Sequence, residues 1–280
     1  MEIFTTIAAY HAYLQTLQSA NKSIGFVPTM GALHQGHLDL VIRAKAENDV
    51  VVVSVFVNPI QFNNKEDLLN YPRTLEKDAI LLQSVACDVV FAPDEKEMYP
   101  EPDTTVYDFG PLAEVMEGKF RPGHFNGVAV VVKRLFDIIQ PVQAYFGEKD
   151  YQQLQIIKSL VKQCKLAVKI IPCPIVREAD GLAMSSRNMR LTDAERKLAP
   201  FIYQTLLEAK KKVSQLSPAQ LKIRVIQQIE TNSSFMPEYF EISDATTLIP
   251  LKDWSQSEHA IACIAVFLGS VRLIDNIILK

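Results

Sequence analysis

Along the first half of the chain, short apolar runs alternate with longer stretches whose apolar residues recur at helical spacing. Residues 23–27 form an apolar strand closed by Pro28, and residues 38–47 carry apolar positions at the helical period. Residues 50–57, reading VVVVSVFV, are β-branched and apolar on both faces, as a strand covered by helices on both sides must be. The alternation continues with a helix over 75–84, a strand over 88–91 ended by Pro93 and a helix over 128–139. A strand over 143–146, a helix over 151–163 and a strand over 167–172 follow. Repeated strand–helix units of this kind predict a parallel, doubly wound sheet, with ligands at the carboxyl ends of its strands.

The pattern changes after about Val176. Residues 177–190 are polar and loop-like. Residues 192–213 read as one helix opened by the capping pair Thr192 and Glu195, and residues 217–230 as a second with Pro218 in its first turn. Strands are expected over 238–243, 259–267 and 271–279, the last two joined by a tight turn containing Gly269. The fold class expected is therefore α/β. A Rossmann-like doubly wound parallel sheet occupies residues 1–176, and a smaller α+β domain occupies residues 177–280.

Composition narrows the function classes. A 280-residue chain that is 48% hydrophobic and 22% charged can bury a sizeable core and is not a disordered polymer. Lys and Arg number 29 against 32 Asp and Glu, a net charge of −3, which lacks the cationic field that general nucleic-acid binding needs. No apolar run reaches the roughly 18 residues of a membrane span. The first residues include Glu2 and no basic cluster, so no signal peptide is expected and the location expected is cytoplasmic. Cys87, Cys164, Cys173 and Cys263 form no CxxC pair, which argues for reduced thiols and against a zinc site.

The chemistry concentrates in a few segments. Pro28-Thr29-Met30-Gly31-Ala32-Leu33-His34-Gln35-Gly36-His37 joins a strand to a helix, placing His34 and His37 at a strand's carboxyl end and a helix N-terminus. Free N–H groups and the positive end of the helix dipole suit a phosphate there, Gly31 and Gly36 permit close approach, and two imidazoles can donate to phosphate oxygens. Ordinary loop histidines are the alternative; a metal site lacks a third ligand nearby. Gln61, just beyond the second strand, offers an amide to a small substrate or simply faces water. Gly147-Glu148-Lys149-Asp150 ends another strand, where Lys149 could meet phosphate and Asp150 a ribose or a helix end; solvated turn charges are the alternative. Gln153 shares the face of Asp150 one helical turn on. Ser185, Ser186 and Arg187 have the composition of a phosphate clamp or of an exposed linker.

These segments, taken in order, carry a resemblance. His34-Gln35-Gly36-His37 looks like the HxGH signature of the nucleotidyltransferase superfamily. The longer string PTMGALHQGHLDL is similar to the pantoate–β-alanine ligase (pantothenate synthetase) family. So are Phe56-Val57-Asn58-Pro59-Ile60-Gln61-Phe62, Tyr71-Pro72-Arg73-Thr74 and Arg121-Pro122-Gly123-His124-Phe125. Phe146-Gly147-Glu148-Lys149-Asp150-Tyr151-Gln152-Gln153 and Met184-Ser185-Ser186-Arg187-Asn188 complete the set, which spans about residues 23–190.

The resemblance implies an ATP-dependent ligase. It would join pantoate to β-alanine through pantoyl adenylate, releasing pyrophosphate and then AMP. It implies catalytic roles for His37, His34 and Lys149. It implies ATP contacts at Met30, Gly31, Ala32, Leu33, His34, Gln35, Gly36, His37, Gly147, Glu148, Lys149, Asp150, Val176, Met184, Ser185, Ser186 and Arg187. Val176 would meet the adenine through its backbone. Gln61 and Gln153 would bind pantoate, and Gln61 β-alanine as well. Asp78 would lie near Mg2+, although Lys77 stands where relatives often carry a second acid. Arg121 steers anionic substrates or is a plain surface arginine. A homodimer is expected, without nucleic-acid or membrane partners. The alternatives are another HxGH nucleotidyltransferase that stops at a nucleotidyl product, and a nucleotide-sensing module without turnover. A class I aminoacyl-tRNA synthetase is disfavoured by the small size and the pI of about 6.0.

Overall fold

A computed structural model describes residues 1–63 and 65–280. In chain order its elements begin with β1 (Glu2–Phe4), α1 (Ile7–Ser19), β2 (Ile24–Thr29), α2 (Gln35–Glu47), β3 (Val50–Val55), α3 (Lys65–Leu69) and α4 (Leu75–Ser84). Then come β4 (Val89–Phe91), α5 (Glu95–Met98), α6 (Met116–Phe120), α7 (His124–Ile139), β5 (Gln143–Gly147), α8 (Tyr151–Gln163) and β6 (Lys169–Cys173). The chain ends with α9 (Asp193–Leu198), α10 (Phe201–Lys211), α11 (Pro218–Glu230), β7 (Phe235–Asp244), β8 (Ala260–Leu268) and β9 (Val271–Ile278). They form two compact units: residues 1–109, 121–148 and 156–174 in the first, residues 110–120, 149–155 and 175–280 in the second. No helix among the described residues is long and apolar enough to cross a membrane.

The first unit holds a six-stranded sheet in the order β1–β4–β3–β2–β5–β6, with every pair parallel. Val51, Val52 and Val53 of β3 have no solvent exposure, which explains why that stretch shows no polar alternation. One face packs with Leu38, Val41 and Ala44 of α2 and Leu82 of α4. The order reverses at β2. It pairs with β3 along its whole length but with β5 only at Gly25–Gln143 and Phe26–Ala144. Beyond those pairs the ladder stops and the strands run on to Thr29 and Gly147, the switch point where ligands of open α/β sheets bind. Helix α7 starts at His124 rather than near 128, and Gly127 in its first turn lies against the Pro59–Gln61 turn. A Cβ on Gly127 would fall 2.4 Å from the Ile60 carbonyl oxygen.

β1 and α1 carry no strong sequence signal. β1 is a three-residue edge strand, too short to show a period. α1 is capped by Thr6, and its Tyr10 is wholly buried with its hydroxyl donating to the Ile139 carbonyl at 3.2 Å.

The second unit contains the antiparallel sheet β7–β8–β9, with the expected β8–β9 hairpin closing at Leu268–Val271. Its core joins Leu206, Leu221, Val225, Phe240, Ile264 and Leu273. The single helix expected over 192–213 is two helices, α9 and α10, broken at Pro200. Proline has no N–H to donate and its ring crowds the carbonyl one turn back, so the capped helix from Thr192 stops and a new one starts. A buried pair ties the polar loop to β9: Arg177 donates to both Asp275 oxygens, at 2.7 and 2.9 Å, and its guanidinium lies 3.5 Å from the Tyr203 ring centroid.

Leu221 and Ile223 on α11 separate burial from hydrophobicity, being 0% and 58% exposed. Leu221→Ala is expected to cost about 2–5 kcal/mol of unfolding free energy in urea titration, and Ile223→Ala less than about 1 kcal/mol.

Candidate active site

The path from β2 to α2 is set by backbone chemistry. Gly31 and Ala32 both adopt left-handed conformations, with φ of 80° and 52°. A Cβ on Gly31 would stand 3.0 Å from both the Asp78 carboxylate and Val55 Cγ1, so only glycine fits without displacement. For Ala32 the left-handed region costs on the order of 1–2 kcal/mol. Asp78, 1% exposed on α4, supplies the compensation. Its Oδ1 accepts the Leu33 N–H at 2.8 Å, and its Oδ2 accepts the Ala32 N–H and the Thr74 hydroxyl, each at 3.1 Å. Thr29 accepts the Gly31 N–H at 3.2 Å and donates to the Ser54 carbonyl at 2.7 Å.

The carboxylate of Asp78, expected to lie near Mg2+, accepts three hydrogen bonds from protein donors. Asp78 shapes the loop that carries the histidines.

His34 and His37 are brought together at the start of α2, with ring centroids 4.1 Å apart and planes inclined by 43°. His34 is the N-cap residue: its Nδ1 accepts the Gly36 N–H at 3.1 Å, while His37 Nδ1 accepts the His34 N–H at 3.3 Å. A neutral imidazole that accepts at Nδ1 carries its proton on Nε2. Each ring is therefore held in the tautomer that donates from Nε2, beside the positive end of a helix dipole. That is an arrangement for an anion. Met30 and Leu33 flank the turn, Leu33 buried and Met30 half-buried, and Gln35 and Gly36 form the first turn of the helix.

Gln61 follows β3 in the short Pro59–Gln61 turn and is 9% exposed. Its carbonyl is 2.9 Å from His124 Nδ1. His124 and Gly123 belong to the Arg121–Phe125 segment, which gives the motif a packing role at the start of α7. Gly147 and Glu148 lie at the end of β5.

In the second unit, Lys149, Ser185, Arg187, Asn188, Arg272 and Asp275 line one cleft. Lys149 Nζ is 3.8 Å from Asp150, and the Lys149 carbonyl accepts from Asn276 at 3.0 Å. Ser185 caps the short 186–190 helix, accepting the Arg187 N–H at 3.3 Å, and Ser186 begins it. The Met184 N–H is bound to the Val176 carbonyl at 3.0 Å, which closes the loop between them. Gln153 is half-buried on α8.

Three residues with strong structural roles escape the sequence reading. Gln152, rather than its neighbour, is buried: it accepts the Glu117 N–H and donates to the Leu112 and Val115 carbonyls, fixing residues 110–120. Arg272 bridges Glu117 and Glu238. Burial opposes its charge, but the two carboxylates raise its pKa above the usual arginine value. Asp275 is 5% exposed, and burial raises its pKa against the pull of Arg177. A signal for Asp275 exists: the two-residue period of β9 sets it on the buried face with Val271 and Leu273, where a carboxylate demands a partner.

The fold and these sites define a class: a Rossmann-like α/β protein with a histidine-capped helix at the switch point and a cationic, hydroxyl-bearing cleft in its second unit. Comparison with known proteins makes the class specific. A sequence model of the pantoate–β-alanine ligase family matches residues 2–278. A pantothenate synthetase from Porphyromonas gingivalis is 51% identical over 281 residues, with 99% of each chain covered. One from Phocaeicola vulgatus is 53% identical over 278 residues, again with 99% of each covered. The crystal structure of pantothenate synthetase from Thermus thermophilus superposes with a TM-score of 0.93 at 45% identity, covering all of both chains. A pantoate–β-alanine ligase from Francisella tularensis, complexed with beta-gamma ATP and β-alanine, gives 0.83 at 39% identity, covering 100% of this chain and 98% of that one. The chain belongs to the pantoate–β-alanine ligase family and is an enzyme of that type.

Asp78→Ala leaves the Ala32 and Leu33 N–H groups without their acceptor. It is expected to lower unfolding free energy by about 1.5–3 kcal/mol in chemical denaturation. Without nucleotide, the response of Tm to added Mg2+ is expected to match that of the wild type.

Proposed function

We propose that this chain condenses pantoate with β-alanine in two chemical steps. A carboxylate oxygen of pantoate attacks the α-phosphorus of ATP, forming pantoyl adenylate as pyrophosphate leaves with its bonding pair. The amine of β-alanine then attacks the acyl carbon, the C–O bond to AMP breaks, and the nitrogen loses a proton to give the amide. ATP supplies the activation, so no covalent enzyme intermediate is needed. Magnesium enters as part of the substrate, bound to the triphosphate. The catalytic machinery acts in a homodimer in the cytoplasm.

One observation supports this most: the tautomer-locked pair His34 and His37 at a helix N-terminus, 4.1 Å apart. Two Nε2 donors there stabilise negative charge on the α-phosphate as the new bond forms. Lys149 offsets charge developing on the departing pyrophosphate, with Ser185, Ser186 and Arg187 on the same phosphates. Backbone groups from Met30 to His37, and residues 147–150, cradle the nucleotide, while Val176 and Met184 meet the adenine side. Gln61 and Gln153 hold pantoate, and Gln61 stands by for β-alanine. In these terms residues 1–176 form the domain that binds ATP and pantoate, and residues 177–280 the smaller α+β domain. The ATP and β-alanine in the Francisella tularensis relative are consistent with this assignment.

His37→Ala is expected to slow pyrophosphate release from ATP and pantoate by about 10²–10³-fold, the effect of losing one donor to a developing oxyanion. Near wild-type release would remove His37 from the chemistry. In the wild type, sustained AMP release should require β-alanine as well as pantoate; AMP or a nucleotidyl product without β-alanine would sink the ligase reaction and favour plain nucleotidyl transfer.

A further inference from the structure

Gln61 is held by a polar relay made entirely of buried or half-buried groups. Asn58, 1% exposed, lies between three neighbours. Its Nδ2 is 3.1 Å from the Gly127 carbonyl and 3.0 Å from Gln61 Oε1, and its Oδ1 is 2.9 Å from the Tyr99 hydroxyl. The Gly127 carbonyl can only accept, so the Asn58 atom beside it must be the NH2 group. The same NH2 faces Gln61, so the Gln61 atom opposite must be the oxygen. The remaining Asn58 oxygen needs a donor, and the Tyr99 O–H provides it. Burial pushes the Tyr99 phenol far above its usual pKa, so it stays a donor at working pH.

The outcome is directional. With Oε1 taken by Asn58, Gln61 shows its other face as NH2. The protein acceptor against that group is the Met30 sulfur, 3.0 Å from Nε2. A thioether is a weak acceptor, so a buried donor at a ligand site is left poorly matched until an oxygen arrives.

We propose that Tyr99 is a positioning residue that acts through Asn58 to fix the Gln61 side-chain NH2 as the hydrogen-bond donor to an oxygen of pantoate. This rests on the ligase reaction proposed above.

The test is steady-state kinetics of the full chain. Tyr99→Phe removes only the hydroxyl, leaving the ring against Phe56 and Arg134. The expected result is a KM for pantoate raised about 3–10-fold, with kcat and the KM for ATP within about twofold of wild type. On a Gln61→Ala background the same substitution should have no further effect on the pantoate KM. Three kinetic results overturn the proposal: an unchanged pantoate KM, a parallel rise in the KM for ATP, or an undiminished effect in the Gln61→Ala background. If the wild type forms no AMP, the ligase reaction falls by itself, and the relay is still read without substrate. The Gln61 side-chain amide resonances should shift in Tyr99→Phe and not in Tyr13→Phe; unchanged resonances in Tyr99→Phe would overturn the relay.

Discussion

Everything distinctive in the first unit hangs on one buried carboxylate. Asp78 accepts the N–H groups of Ala32 and Leu33, and so stabilises a left-handed turn that an alanine would not adopt alone. That turn delivers the chain to His34 in an extended conformation, ready to cap α2. Hydrogen bonds to a charged acceptor contribute about 1.5–3 kcal/mol, enough to outweigh the cost of the turn. The histidines then complete their own support, the Nδ1 of each ring taking a backbone N–H of the same short segment. A strained loop, a capped helix and two oriented donors are thus one interlocked arrangement.

Buried carboxylates recur as supports in the second unit, this time under cations. There the functional-looking groups are cations, and buried carboxylates hold the strands beneath them. Asp275 takes Arg177 in a two-point contact, while Glu117 and Glu238 share Arg272. Such buried pairs add little net stability because desolvation offsets attraction, but breaking one leaves an uncompensated charge. Their effect here is geometric: they set where β9 and the 177–190 loop can lie.

Much of this is legible in the sequence. The VVVVSVFV stretch announces a strand covered on both faces, and the glycine-bracketed histidines announce a strand–helix junction. Both signals are local, because a period or a motif lies within a few consecutive residues. What sequence reading misses is non-local or very short. β1 has three residues. Pro200 is passed over because the capping box at Thr192 and the apolar period beyond it both favour one helix, and only the lost hydrogen bond decides otherwise. The place of Asp78 in a motif points towards a metal; its partners in the structure, 45 and 46 residues upstream, are backbone N–H groups that leave no mark on a sequence. The Tyr99–Asn58–Gln61 relay is invisible for the same reason, Tyr99 lying 41 positions after Asn58.

The second unit is not a continuous piece of chain, and that bears on the order in which it can form. Met116 packs with Leu248, Ile261 and Cys263, and Glu117 meets Arg272 across 155 residues of chain. Closing so long a loop costs entropy before any contact repays it. During synthesis, residues 110–120 must therefore wait, with their apolar side chains uncovered, until the final hairpin has left the ribosome. In the first unit the central strands β2, β3 and β4 find neighbours within a few tens of residues, and only the short edge strand β1 waits longer, for β4.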